Sequence, residues 1–208
     1  MTTVGRWSPN KVRARVLDGT WVSPEELGGM VLLTPSSIAY TGTSASIGAN
    51  GSVTFTAVSS LSLNGVFSAD YDNYMIVCQN LRGGTAVDII YARLRASGTD
   101  NSTAGSYTYQ YLYASSTTVG AARVSATEGI WYASGGVQRS GFTSYLYGPY
   151  LAQPTAIRSV GASGQNNAYI EDEAFTHNQS TAYDGFSMFM GAGTTLTGLV
   201  SVFGLVGA

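Results

Sequence analysis

From about Ser36 onward, polar and apolar positions alternate in short bursts separated by Gly, Ser and Asn. Gly51 to Thr56 places Val53 and Phe55 on one face, and Leu61 and Leu63 lead across Asn64-Gly65 into Val66-Phe67. Tyr74 to Leu81 is almost continuously apolar, the pattern of a central strand covered on both sides. Arg82-Gly83-Gly84 turns the chain into Ala86 to Ala96. There Val87, Ile89, Tyr91, Arg93 and Arg95 share one face, and Ile90, Ala92, Leu94 and Ala96 the other. Tyr107 to Tyr113 has the cleanest period of two: Tyr107, Tyr109, Tyr111 and Tyr113 point one way, Thr108, Gln110 and Leu112 the other. Further strands are expected at Gly129 to Ala133, Ser144 to Tyr147, Ala156 to Val160, Ala168 to Glu171, Phe186 to Met190 and Leu199 to Leu205. No segment sustains a helical period. Short strands about ten residues apart predict an all-β, antiparallel β-sandwich of jelly-roll-like type over residues 36–208.

The first 35 residues have a different texture. Lys11-Val12-Arg13-Ala14-Arg15-Val16-Leu17 alternates, Asp18-Gly19 supplies a hairpin turn, and Thr20-Trp21-Val22 returns. Ser23-Pro24 reads as a helix start that Gly28-Gly29 ends within about a turn. A hairpin this small has no core of its own, so it must pack on the main domain or on a partner. Residues 1–35 are therefore expected to be a small N-terminal β-hairpin docking segment, with Arg6, Trp7, Lys11, Arg13, Arg15 and Trp21 as its contact residues.

Composition narrows the class of function. Charged residues are only 11% of the 208, against a usual quarter, while Gly reaches 26 residues. Such a surface suits a chain that hides part of itself in an assembly, since interface cores are depleted of charge. Net charge is −2, so nothing global points to nucleic acid or a membrane surface. Four of the ten basic residues lie in the first fifteen positions, where docking on an acidic partner is the better expectation than nucleic-acid binding. The start of the sequence has no apolar signal core, and no stretch approaches a membrane span.

Candidate chemistry is sparse. Cys78, the sole cysteine, sits in an apolar run and reads as a buried, inert thiol. His177, the sole histidine, is flanked by loop-like residues and reads as an exposed loop side chain. Glu171, Asp172 and Glu173 could serve as a glycosidase pair, and they or Asp70, Asp72 and Asn73 could hold calcium. Solvated turns are the expectation for both groups, with no metal and no cofactor. The aromatic residues carry more information. Tyr107, Tyr109, Tyr111 and Tyr113, with Trp131-Tyr132 and Tyr145, Tyr147 and Tyr150, exceed what a modest core needs. A tyrosine combines a flat apolar ring with a polar tip, which suits sugar stacking, subunit interfaces and hydrogen-bonded cores alike. Tyr107, Tyr109, Tyr111, Trp131, Tyr132 and Tyr147 are the candidate ligand-binding residues, with core and interface left open as alternatives.

Four stretches together resemble tailed-bacteriophage virion proteins of the β-sandwich tail-fibre, receptor-binding or head-fibre type. They are Val12 to Val22, with its Asp-Gly and Trp; Leu61 to Phe67 followed by Tyr71-Asp72-Asn73-Tyr74-Met75-Ile76-Val77; Arg93 to Asp100; and Gly198-Leu199-Val200-Ser201-Val202-Phe203-Gly204-Leu205, where Phe203 stands in for the more usual Tyr. With no catalytic cluster in the sequence, a structural or binding protein and not an enzyme is expected; the resemblance implies a homo-oligomer, often a trimer, that attaches to other virion proteins through its N-terminal segment. It implies a protein made in the host cytoplasm and located in the virion. A tail-tip or fibre protein binding host surface glycan is the leading expectation. A capsid decoration or head-fibre protein is the alternative, and a glycan-degrading virion enzyme built on Glu171 or Glu173 the third.

Overall fold

The computed structural model describes residues 29–84, 88–115, 117–132, 137–164, 170–191 and 193–206. The expected hairpin with Arg6, Trp7, Lys11, Arg13, Arg15 and Trp21, and the short helix at Ser23, lie outside these residues. The described chain forms fourteen strands: β1 Met30–Leu33, β2 Ser37–Ile47, β3 Val53–Asn64, β4 Asn73–Gly83, β5 Ile90–Ala96, β6 Thr99–Asp100, β7 Tyr107–Ser115, β8 Thr118–Ala126, β9 Gly129–Tyr132, β10 Ser140–Tyr147, β11 Thr155–Ser163, β12 Ile170–His177, β13 Gly185–Met190 and β14 Leu196–Leu205. Every pairing is antiparallel.

The strands run in the order β6-β5-β13-β3-β14-β4-β10-β11-β12-β7-β8, with β1 beside β14, β2 beside β3 and β9 beside β5. This one path folds into two layers at β3. The first half of β3 pairs with β14 (Val53 with Val200, Val58 with Leu196), and its second half pairs with β13 (Ser60 with Phe189, Leu63 with Phe186). At the crossing, Ala57 has φ 47° and Gly42 of the accompanying β2 has φ 138°, with a register shift between Thr41 and Gly42. A Cβ on Gly42 would lie 2.2 Å from the Ala57 carbonyl oxygen, so only glycine fits. Bulges of this kind let a strand leave one sheet for another. The expectation of separate strands at Gly51 and Leu61 is thereby revised: they are one bent strand. Val66 and Phe67 are buried but belong to no strand.

Between the layers lie Val53, Phe55, Leu61, Leu63, Phe67, Tyr74, Ile76, Leu81, Leu94, Trp131, Phe186 and Val202, all buried. Phe67 packs on Tyr74 at 4.6 Å between ring centres, and Trp131 meets Phe186 edge-on at 4.8 Å. The Tyr74 hydroxyl accepts from the Ser68 amide and donates to the Ser68 carbonyl, so this buried phenol is satisfied. Two of the stretches that carry the virion resemblance are partners here. Asn73 to Val77 of β4 lies against Ser201 to Leu205 of β14, and the Tyr71 ring rests on Gly204, where a Cβ would come within 2.5 Å. Met30 to Leu33 pairs with Val202 to Leu205, so the sandwich takes in residues the sequence reading placed in the docking segment.

On the small layer, Arg95 ties four strands together. Its Nε donates to Asn64 Oδ1 (3.0 Å), and its Nη1 donates to Ser62 Oγ (3.1 Å), Ser187 Oγ (2.7 Å) and the Asp100 carboxylate. Ser187 in turn donates to Asp100 at 2.6 Å. Removing one partner from such a network leaves the others desolvated. Replacing Arg95 with Leu is expected to lower unfolding stability by roughly 2–4 kcal/mol, measured by urea titration. A change below half a kcal/mol would show that solvent replaces the guanidinium.

Candidate functional site

Both faces of the large layer were candidates, and their chemistry differs sharply. Tyr107, Tyr109, Tyr111 and Tyr113 do share one face, as their spacing predicts, but it is the inner one. Tyr107 is fully buried; its hydroxyl accepts from the Leu94 amide (2.9 Å) and donates to the Asn101 carbonyl (3.0 Å). Burial pushes its phenol pKa up, and Tyr109 moves the same way for the same reason. Trp131 is buried too, its indole N–H donating to Ser144 Oγ. Tyr107, Tyr109 and Trp131 are therefore core residues and do not form a ligand surface. They face inward because β9 and its neighbours close over that side: a Cβ on Gly129 would meet the Phe175 ring at 2.5 Å. Tyr111 and Tyr113 are half-buried, with ring centres 6.1 Å apart. The Tyr132 side chain lies outside the described residues.

Two further expectations change on this inner face. Glu171 and Glu173 are buried strand residues of β12, where the acidic run had suggested solvated turns. Alternation sends only Asp172 outward. Ser144, Ser159, Glu173 and Tyr111 follow one another across β10, β11, β12 and β7, and Ser144 Oγ shares a 2.6 Å hydrogen bond with Ser159 Oγ. With Glu173 only 1% exposed, a polysaccharide does not reach this row. Asp70 and Asp72 are exposed beside the β4 entrance, as a solvated turn would have them. Among the described residues, no three His, Cys, Asp or Glu side chains converge on a metal position.

His177 ends β12 fully buried, where the sequence had suggested an exposed loop. Its ring stacks on Tyr107 at 4.1 Å, and its Nε2 shares a 2.5 Å hydrogen bond with the Tyr183 hydroxyl. The sequence could have shown this through one signal, the period-two continuation Glu171, Glu173, Phe175, His177. Cys78 is buried as expected, and burial pushes its thiol pKa up.

The outer face of the same strands is open. One register row crosses five strands: Tyr145 on β10, Arg158 on β11, Ala174 on β12, Gln110 on β7 and Arg123 on β8. All five residues are exposed. Four strand spacings make the row about 19 Å long. Tyr147 stands two residues from Tyr145 on the same face; the pair are 49% and 41% exposed. Arg158 grips Asp172 in a two-pronged ion pair, Nε to Oδ1 at 3.0 Å and Nη2 to Oδ2 at 2.6 Å. That contact holds the Asp172 carboxyl below its usual range and the guanidinium above its own. Ala174 stands between Arg158 and Gln110 in this row and is the smallest side chain of the five. Two flat rings beside fixed donors and acceptors are elements that can seat a sugar chain. Tyr147 was among the candidates read from the sequence. Arg158, Ala174, Gln110 and Arg123 were not, because no local pattern announces a row that exists only after pairing.

Fold and site together define an all-β antiparallel sandwich with an exposed polar and aromatic sheet face. No family model and no curated protein matches the chain. Among solved structures, it is similar to the carbohydrate recognition domain of Emp47p, at 12% identity and TM-score 0.32, covering 86% of this chain and 98% of that one. It is similar also to the SPRY domain of human HERC1 (7% identity, TM-score 0.29, 77% and 98% covered). A legume lectin-like domain from Entamoeba histolytica follows (8%, TM-score 0.24, 90% and 100% covered). Likeness at this level carries over neither ligand nor activity.

Burial lowers the His177 pKa from 6.5 to about 4. The folded protein therefore keeps the ring neutral while the unfolded chain protonates near pH 6.5. Stability from this residue is complete above about pH 6.5, falls as pH drops through the window, and levels off below about pH 4, a loss of up to about 3 kcal/mol. Urea titrations between pH 7 and 4 are expected to show the stability gap between wild type and His177→Phe shrinking by that amount. A gap independent of pH would contradict the assignment.

Proposed function

We propose that this chain is a structural and binding protein of the bacteriophage virion, of the tail-tip or fibre type, whose sandwich binds host surface glycan through the β10–β11–β12 outer face. The observation that carries the reading is the exposed Tyr145 and Tyr147 pair beside the Arg158–Asp172 clamp. Exposed tyrosines next to fixed polar groups are well suited to carbohydrate, since each offers a flat apolar ring and a polar tip. The motifs that resemble virion sandwiches support the setting. Low charge suits a subunit of an assembly, and the proposed homo-oligomeric state supplies multivalency, by which weak sugar contacts repeated over several subunits give useful avidity. Attachment to other virion proteins is proposed for the N-terminal segment.

A capsid decoration or head-fibre role is the second reading, favoured by the same motifs. Gold-labelled antibody on intact virions separates the two: label at the distal tail is expected, and label over the head would overturn the tail assignment. The glycan claim is tested on the purified protein. Tyr145→Ala and Tyr147→Ala are each expected to weaken adsorption to host cells two- to tenfold per site, about 0.5–1.5 kcal/mol per ring, with the thermal melting temperature unchanged. Undiminished adsorption in the double variant would exclude this face.

A further inference from the structure

The strand β8, Thr118–Ala126, closes one end of the sheet path and pairs among the described residues only with β7. An uncovered edge presents a row of unpaired backbone donors and acceptors, and proteins ordinarily guard it with charges, proline, bulges or brevity. This edge has little of that. It is nine residues long, reads Thr-Val-Gly-Ala-Ala-Arg-Val-Ser-Ala, carries one charge, and keeps an unbroken register with β7 from Tyr107–Ala126 to Ser115–Thr118. Both of its faces are dominated by small or apolar residues. Val119, Ala121, Arg123 and Ser125 lie on the outer face, and Gly120, Ala122, Val124 and Ala126 on the inner one. The two valines of this weakly guarded strand are left open: Val119 is 79% exposed and Val124 is 40% exposed. Beside the edge, Leu112, Val160 and Ile170 are exposed as well, and with Val119 they line a depression of about 450 Å³.

We infer that β8 is a self-association edge, pairing antiparallel with β8 of a second copy of this chain about a two-fold axis through Ala122. The sequence of β8 is complementary to itself in that register. Val124 then faces the partner's Gly120, Arg123 faces the partner's Ala121, and Ala122 faces the partner's Ala122. Each bulky side chain meets a small one, and the two Arg123 guanidiniums are never directly opposite. The Tyr113 ring lies over Gly120, where a Cβ would come within 2.5 Å, so the incoming valine finds an aromatic floor. Isologous contacts of this kind give closed dimers. The contact rests on the proposed homo-oligomeric state and changes it in one respect: a two-fold edge gives a dimer, not the trimer implied by the family resemblance. It also makes the outer faces of two subunits one continuous sheet. The Tyr145-to-Arg123 rows of both copies then lie on the same surface, a physical basis for avidity.

The test is light-scattering mass measurement on the full chain, with variants at the axis. Wild type is expected at twice the 21.7 kDa chain mass. Ala122→Lys and, separately, Ala122→Glu are expected to give the single-chain mass, because each sets like charges against one another. Mixing the two variants is expected to restore the double mass through a Lys–Glu pair. Val119→Lys, at a largely exposed position, keeps the test valid if substitutions at Ala122 disturb folding, and is expected to weaken dimerisation at least tenfold. Thr41→Lys on the opposite edge strand β2 is expected to leave the mass unchanged. An oligomer whose mass all β8 variants leave intact would overturn the edge while sparing the homo-oligomeric reading. A wild-type monomer would overturn both.

Discussion

The two-layer arrangement depends on the bend in β3. That strand supplies the neighbour for β14 in the large layer and for β13 in the small one. The turn is possible because Ala57 adopts a left-handed backbone and Gly42 of β2 passes against its carbonyl without a side chain. Once β3 crosses, the small layer is laid over the large one, and the inner face of β7, β10, β11 and β12 is closed. The consequence reaches the site. Trp131, delivered by β9 on the small layer, comes to rest on Phe142 and donates into the Ser144–Ser159 pair.

Closing that face sorts the polar residues into two kinds. Inside, hydroxyls, the His177 imidazole and the Glu171 and Glu173 carboxylates are removed from solvent, a desolvation that hydrogen bonding must offset. Such groups hold a fold in one arrangement, as the Tyr107–His177–Tyr183 cluster does, with His177 Nε2 hydrogen-bonded to the Tyr183 hydroxyl. Outside, Tyr145, Tyr147, Arg158, Asp172 and Gln110 keep their water and remain open to a ligand. The same strands thus carry a rigid interior and an accessible exterior, one residue apart along each chain segment.

Much of the architecture was legible in the sequence. The apolar run Tyr74 to Leu81 became the central strand β4, and the tyrosine alternation became β7 with its four rings on one side. The direction of that side was not legible. Tyr107, Tyr109, Tyr111 and Tyr113 on one face against Thr108, Gln110 and Leu112 on the other gives no decisive difference in hydropathy, so period two fixed the partition without fixing which face is inside. The acidic run failed for the opposite reason. Three adjacent acids look like solvent, yet alternation takes Glu171 and Glu173 inward and leaves Asp172 to pair diagonally with Arg158. The outer row from Tyr145 to Arg123 lay beyond local reading altogether, since its members come from five strands spread over residues 110–174.

The central claim is that ligand binding belongs to the outer face and not to the enclosed polar row. Amide-proton chemical shifts followed during titration with bacterial surface oligosaccharides test this directly. The largest shifts are expected on Tyr145, Tyr147, Arg158 and Gln110, with the Trp131 indole unmoved. Shifts concentrated on Trp131, Ser159 and Glu173 would contradict the claim and place the ligand inside the sandwich.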